Sequence, residues 1–321
     1  MSPLQQDLTS PLSTVVDEQM PGAEIEELAG TAPLQPLTDE LAPTTPLVGP
    51  AAPLAGPAAS GRTPAIQAVQ RCHVGAVRLR NEDSALVFNS AAGGQFPLLP
   101  FGLYIVADGM GGHFAGHEAS RRASRLVAAG LLQQIYLPLL QEKENADQRP
   151  VQEIMLEAVQ QANQEIHNPN PYKDTGTTLT AAVILGRRLY LAHVGDSRAY
   201  LLRNRQLQLL TTDHSYVQRL QDAGQLTPEA AAAHPQRNVL YRAVGQGGEL
   251  EVDVSTLALP LEGKLLLCSD GLWGVVPETM LVDILDDAAL SLEEKADHLV
   301  TQALLHGGHD NITAVVVAFA F

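Results

Sequence analysis

Carboxylates recur where apolar runs of the chain stop. Glu82 and Asp83 follow VRLRN, Asp108 closes GLYIVA, Asp196 follows LAHVG, Asp270 follows LLLCS, and Asp310 stands in HGGHDN just ahead of ITAVVV. Turn or cap chemistry accounts for any one of them, because Asp tolerates turn backbone and glycine supplies positive φ without steric cost. Five such ends brought together would make a cluster of like charges, which stays ionised only with cations between its members. All-oxygen donors at that density suit hard divalent ions, Mg²⁺ or Mn²⁺, and not zinc, whose sites favour Cys and His. Two such ions about 3.5–4 Å apart can share and deprotonate a water aimed at a phosphoryl group, so phosphoester hydrolysis is the natural chemistry. That chemistry also needs a cation for the substrate's phosphate. Arg78 stands four residues before Glu82 on what reads as a strand, which puts the two on one face. Arg80 shares the face, and spacing alone neither chooses between them nor excludes a surface arginine paired with an acid.

The elements that would position these residues are read from periodicity. From about residue 66 the chain runs in short β-rich segments, AVQRCHVGAVRL, SALVF and GLYIVA, punctuated by Gly, Asn and Asp. Segments near 116–137 and 150–167 carry apolar residues at helical spacing, among them Ile154, Ala158, Ala162 and Ile166. A second strand block follows (TLTAAVILG, RLYLAHVGDSRAYLLR, QLQLLT), then an Ala-rich helical insertion near 215–234, then VDVSTLAL and KLLLC, two helices near 278–305, and a last strand, ITAVVVAFAF. Strands in blocks and helices in blocks predict α+β layers and not a βαβ parallel sheet.

Residues 1–64 have another texture. They hold 11 of the 21 prolines with no sustained period, and residues 1–61 carry eight acids and no Lys or Arg. Such a segment is expected to be a disordered tail, with one interrupted helix near VDEQMPGAEIEELAG. The formal charge of −16 therefore leaves −8 on residues 62–321, from 28 acids and 20 bases. No basic patch stands out, which argues against nucleic-acid binding. No leader pattern or apolar run of membrane-spanning length is visible. Cys72 and Cys268 lie far apart and form no CxxC pair, so a soluble protein of a reduced, cytoplasmic compartment is expected.

The ordered motifs VRLRNEDS, VADGMGGH, GTTLTAAV, HVGDSRAYLL, TTDHSYVQ, HPQRNVLYRAVG, LLLCSDGLWG and HDNITAVVV resemble the bacterial PPM family of metal-dependent Ser/Thr protein phosphatases, the type 2C group. The resemblance covers about residues 67–321 and implies two packed antiparallel β-sheets flanked by helices, an α-β-β-α sandwich. It implies Asp108 as the acid bridging two metals, with the Gly109 carbonyl and Glu82 on one side and Asp270 and Asp310 on the other. It implies Asp196, with Asp270, at a third ion, Asp83 behind the ligands, and Arg78 rather than Arg80 on the phosphate. Residues 213–240 resemble a flap beside the active site that contributes to substrate choice.

Two positions depart from the pattern: His73 stands where many bacterial members carry an acid, and Met110 where animal members carry a histidine proposed as general acid. His113 and His117 are nearby in sequence, but nothing in the sequence brings either to the leaving oxygen, so the general acid is unassigned and water is the default proton donor. Cys268, Trp273, His193 and His214 are read as packing or satisfied structural residues. The resemblance further implies phosphoprotein substrates, a partner Ser/Thr kinase and a monomer. A pseudophosphatase using the same fold for binding is the alternative, and the full set of carboxylates argues against it.

Overall fold

The computed structural model describes residues 65–91, 98–111, 114–141, 149–168 and 175–321. The expected tail, 1–64, with its interrupted helix, lies outside the described residues, as does His113.

Eleven strands form two antiparallel sheets among the described residues: β1 (Ala65–His73), β2 (Asp83–Ser90), β3 (Phe101–Met110), β4 (Gly176–Thr177), β5 (Leu179–Leu185), β6 (Arg188–Val194), β7 (Arg198–Arg203), β8 (Gln206–Leu209), β9 (Asp253–Ala258), β10 (Glu262–Cys268) and β11 (Ile312–Ala320). One sheet has the order β1-β11-β10-β7-β8; the other has β2-β3-β5-β6-β9, with β4 paired to β3. The helices are α1 (Phe114–Leu131), continued through a π-helical turn at Leu132–Tyr136 into α2 (Leu137–Leu140), then α3 (Val151–His167), α4 (Tyr216–Asp222), α5 (Pro228–Ala232), α6 (Asp270–Trp273), α7 (Glu278–Asp286) and α8 (Leu292–Leu305).

Side-chain alternation sorts the strands into layers. Leu103, Ile105 and Ala107 of β3 face α1 and α3, whose buried stripes Ala119, Ala123, Val127 and Ile154, Ala158, Ala162 repeat at helical spacing. Tyr104 and Val106 point the other way, into a core shared with Leu265 and Leu267 of β10 and Val315 and Val317 of β11. Leu266, Ala314 and Val316 face the helices on the far side, where Leu281, Leu285, Ala296 and Leu299 cover them. The result is helix, sheet, sheet, helix: the α+β layering that the block pattern predicts, in the sandwich order that the resemblance implies. Burying a Leu, Ile or Val fully stabilises by about 1.5–3 kcal/mol, and all three layers are continuous in such residues. Ser291 starts α8 with a capping box, its hydroxyl accepting from Glu294 N–H while the Glu294 carboxylate accepts from the Ser291 N–H.

One expectation fails. The run AVQRCHVGAVRL is a strand only to His73, and residues 74–82 form a loop, so Arg78 and Glu82 share no strand face. Gly75 turns the chain with φ +83°, a left-handed value that disfavours a side chain. A Cβ there would also meet the Asp310 carbonyl at 2.2 Å. His73 serves this turn, its Nδ1 accepting the Gly75 N–H at 2.9 Å, and the Ala76 N–H donates to the Gly308 carbonyl at 2.7 Å.

Candidate active site

Parity places the first acids. Asp83 continues the Ala85–Val87 face of β2 and Asp108 the Tyr104–Val106 face of β3, so both project toward the space between the sheets, where the apolar layer runs out. The two residues are directly paired across the strands. The Asp108 backbone is held by neutral groups: its N–H donates to Thr178 Oγ1 (2.9 Å), and its carbonyl accepts from Thr178 N–H and Thr177 Oγ1, each at 2.8 Å.

Glycine follows Asp108 because nothing larger fits. A Cβ on Gly109 would lie 2.3 Å from the Gly116 carbonyl oxygen and 2.6 Å from that of Glu82. This lets the start of α1 and the end of the 74–82 loop close over the strand end, with the Gly109 N–H donating to the Glu82 carbonyl at 3.2 Å.

The second sheet supplies the other acids. Asp270 opens α6 where β10 ends, and Asp310 lies two residues ahead of β11. Buried Ser269 ties the sheets together, its hydroxyl donating to Asp83 Oδ2 (2.8 Å) and accepting the Thr313 N–H (3.0 Å). Asp310 pairs with Arg78, Nη2 to Oδ2 at 2.6 Å, and Arg78 remains half exposed. Asn311 spans the loop: the Glu82 N–H donates to its Oδ1 (2.7 Å), and its Nδ2 donates to the Val74 and Arg80 carbonyls, both at 2.9 Å. Ser269 and Asn311 escape the sequence reading because neither type marks a site. Their only signal is position, each beside an acid in CSD and HDN.

Asp196 sits on the β6–β7 turn, where Trp273 Nε1–H donates to its carbonyl at 2.9 Å. The Trp273 ring lies under the Arg198 guanidinium, 3.5 Å from carbon to ring centre, and Arg198 is bidentate to Asp213 (2.9 and 2.8 Å). Asp213 and His214, the root of the expected flap, thus fasten the turn, with His214 Nδ1 accepting the Gly195 N–H at 3.1 Å. His193 bonds Thr180 and the Thr212 carbonyl, and burial pushes its pKa down to about 3, which fits a neutral structural residue. Cys268 is buried among apolar residues with its thiol pushed up to about 12 by burial. Met110 Sδ is 3.4 Å from Gln246 Nε2. Gln246 also lines an open cleft of about 720 Å³ with Tyr241, Arg242, Glu251 and Arg219, the last on the short flap helix α4.

The electrostatics are those of crowded acids, Asp83 and Asp196 buried and Asp108 and Asp270 partly so. Burial raises Asp83 to about 7 and Asp270 to about 6, the latter helped by Asp310. Burial, then Asp83 and Asp270, holds Asp108 well above the usual carboxylate range, and burial with Asp270 does the same for Asp196. Asp108 and Asp270 act on each other's titration, Asp270 raising Asp108 by like charge. Among the described residues no three acid, His or Cys side chains form a finished coordination shell. Divalent cations nevertheless fit the residues present. The donors are hard oxygens, and Oδ1 of Asp83 and Oδ1 of Asp270 are buried without a hydrogen-bond partner.

Residues 79–306 match the family model described as protein phosphatase 2C. The serine/threonine phosphatase stp of Listeria welshimeri is 41% identical over 243 residues, covering 76% of this chain and 92% of that protein. The crystal structure of the serine/threonine phosphatase PstP/Ppp of Mycobacterium tuberculosis is 34% identical with a TM-score of 0.64, over 80% of this chain and 99% of that one. The catalytic domain of PstP in complex with two manganese ions is 33% identical with a TM-score of 0.62, over 81% and 100%. With the layered fold and the matched span in agreement, the chain belongs to the protein phosphatase 2C family of metal-dependent protein phosphatases.

Proposed function

We propose that the chain hydrolyses phosphoserine and phosphothreonine in proteins, using water activated by two divalent cations, Mn²⁺ or Mg²⁺. The observation that carries this reading is the meeting of Asp83, Asp108, Asp270 and Asp310 from both sheets beside an exposed-edge arginine. Asp108 would bridge the ions, with Glu82 and the Gly109 carbonyl on one and Asp270 and Asp310 on the other; Asp196 would serve a third. Bound there, the cations would acidify the attacking water and offset phosphoryl charge. The chain's own part is positioning. Arg78 presents a planar guanidinium that can hold two phosphoryl oxygens. Thr178 and Ser269 fix Asp108 and Asp83, and water is the proton donor to the leaving hydroxyl, since Met110 has no proton to give.

A Ser/Thr kinase must supply such a substrate, so the chain would oppose one in signalling. Both cysteines are free, which suits a cytoplasmic setting, and among the described residues no helix is long and apolar enough to cross a membrane. The full acid set favours turnover over a pseudophosphatase. The test is phosphate release from a phosphothreonine peptide with Mn²⁺, with Mg²⁺, and with chelator. Turnover should need the metal; none under any metal would leave the binding reading.

A further inference from the structure

The loop 74–82 carries Arg78 and Glu82 yet belongs to neither sheet. Its backbone converges on one side chain. Asn311, 4% exposed, accepts from the Glu82 N–H and donates both Nδ2 hydrogens, one to the Val74 carbonyl and one to the Arg80 carbonyl. These two carbonyls bracket Arg78 in the chain. Only a carboxamide offers two donors and an acceptor in one plane, and Asn311 is itself anchored by its N–H to Asp310 Oδ1 at 2.8 Å.

We propose that Asn311 is a positioning residue for phosphate recognition, fixing the backbone on both sides of Arg78 so that the guanidinium is already placed when the phosphoryl group arrives. The inference rests on the reading of Arg78 as the residue that holds the phosphate. Placement matters at this scale, because a shift of about 1 Å in a substrate-orienting group can lower the rate about a hundredfold. Asn311→Asp separates the contacts: its carboxylate still accepts from the Glu82 N–H but gives the Val74 and Arg80 carbonyls nothing. Added negative charge next to the acids favours cation binding, so lost metal would not explain a loss of phosphate binding.

The experiment is a double-mutant cycle on the full chain, with Arg78→Ala, Asn311→Asp and the pair. It reads kcat and KM on a phosphothreonine peptide, inhibition by inorganic phosphate, and Mn²⁺ affinity by calorimetry. Asn311→Asp should lower kcat/KM by about thirty- to a hundredfold and weaken phosphate inhibition by about tenfold, while Mn²⁺ affinity stays within about threefold of wild type. In the Arg78→Ala background it should add less than about threefold, because residues acting as one unit are not additive. A damaging Arg78→Ala with losses that multiply would overturn the proposal alone, since charge repulsion or general loosening would persist without Arg78. A silent Arg78→Ala would overturn the reading of Arg78 and the proposal with it. Should Asn311→Asp fold poorly, Asn311→Ala completes the same cycle at saturating Mn²⁺, where the lost Glu82 contact no longer acts through metal loading, and decides it by the same criterion.

Discussion

Gly109→Ala asks whether the close packing at the end of β3 is what makes the site. The added methyl would sit 2.3 Å from the Gly116 carbonyl oxygen and 2.6 Å from the Glu82 carbonyl oxygen, where real Cβ contacts essentially never fall under 3.0 Å. Both neighbours are backbone and cannot rotate away, so the start of α1 must retreat by at least 0.7 Å (2.3 to 3.0) and the Glu82 peptide by at least 0.4 Å (2.6 to 3.0). Overpacking costs about 1–3 kcal/mol, and unyielding neighbours put this case near 3. For a folded unit of this size that lowers Tm by about 6–12 °C. A retreat of this length moves Glu82 against Asp108, so kcat/KM should fall by about thirty- to a hundredfold. Gly248→Ala is the control, since its Cβ would meet nothing within 4 Å and its change should stay near zero. The assays are thermal melting and Mn²⁺-dependent release of phosphate from a phosphothreonine peptide. A Gly109→Ala protein that melts and turns over like wild type would refute the steric argument, and with it the account of why glycine follows Asp108.

Asp108→Asn removes a charge from the centre of the acid cluster: kcat should fall by about a thousandfold or more and Mn²⁺ binding by calorimetry should weaken, while the metal-free Tm holds or rises. Tight metal binding with full turnover would make Asp108 an ordinary strand-end turn residue. Asp83 and Asp270 have folded-state pKa values raised by burial to about 7 and about 6, above the ordinary 3.8. The folded chain therefore binds more protons than the unfolded chain between about pH 4 and 7, and these acids make the metal-free protein less stable as pH rises through that window. Melts in chelator should show Tm rising from pH 8 toward 6, and Mn²⁺ should abolish the trend; a chelated protein whose Tm falls on that path would contradict it. Replacing the flap tip GQLTPEAAAA should reorder a panel of phosphopeptides more than it changes turnover of a small aryl phosphate, because only a peptide is long enough to reach from the acids to the flap. Equal losses on both would make the insertion a support for the core.

The parts legible in the sequence are those with a period. α3 shows its buried face in Ile154, Ala158 and Ala162, and β11 shows a run buried on both sides, because apolar burial leaves a regular mark. The acids were legible for a different reason: each ends such a run, and polarity stops abruptly there. Loop 74–82 was not, because the residues that shape it, Gly75, Gly308 and Asn311, act across more than 200 positions of sequence and have no periodicity. Arg198 has no periodic mark either: its stacking on Trp273 and its bond to Asp213 follow from where β7, α6 and the segment after β8 come together. The flap's helical character is legible: its two short helices, α4 and α5, start with Ser215 and Thr227 caps that the sequence shows openly.

The neutrality of the supporting groups bears on what the site is for. Buried acids in a protein are commonly offset by Arg or Lys, and one partly buried arginine, Arg198, does stand close by. It is bidentate to Asp213 and is not spent on Asp108 or Asp270. The groups touching Asp83 and the Asp108 backbone are hydroxyls and amides: Ser269, Thr177, Thr178. A permanent side-chain cation in their place would stabilise the metal-free fold and compete with any ion that came to bind. Hydroxyls and amides satisfy individual oxygens and set geometry, yet leave the charge of the cluster in place. Two Oδ1 atoms remain without partners even so. Arg78, the cation that pairs with this cluster among the described residues, is half exposed and bonds Asp310 at the rim. A cluster built to be neutralised by the chain itself would have the opposite arrangement, with its arginine inside and its hydroxyls outside. The charge balance of this one is left to protons in the metal-free chain and to divalent ions when they bind.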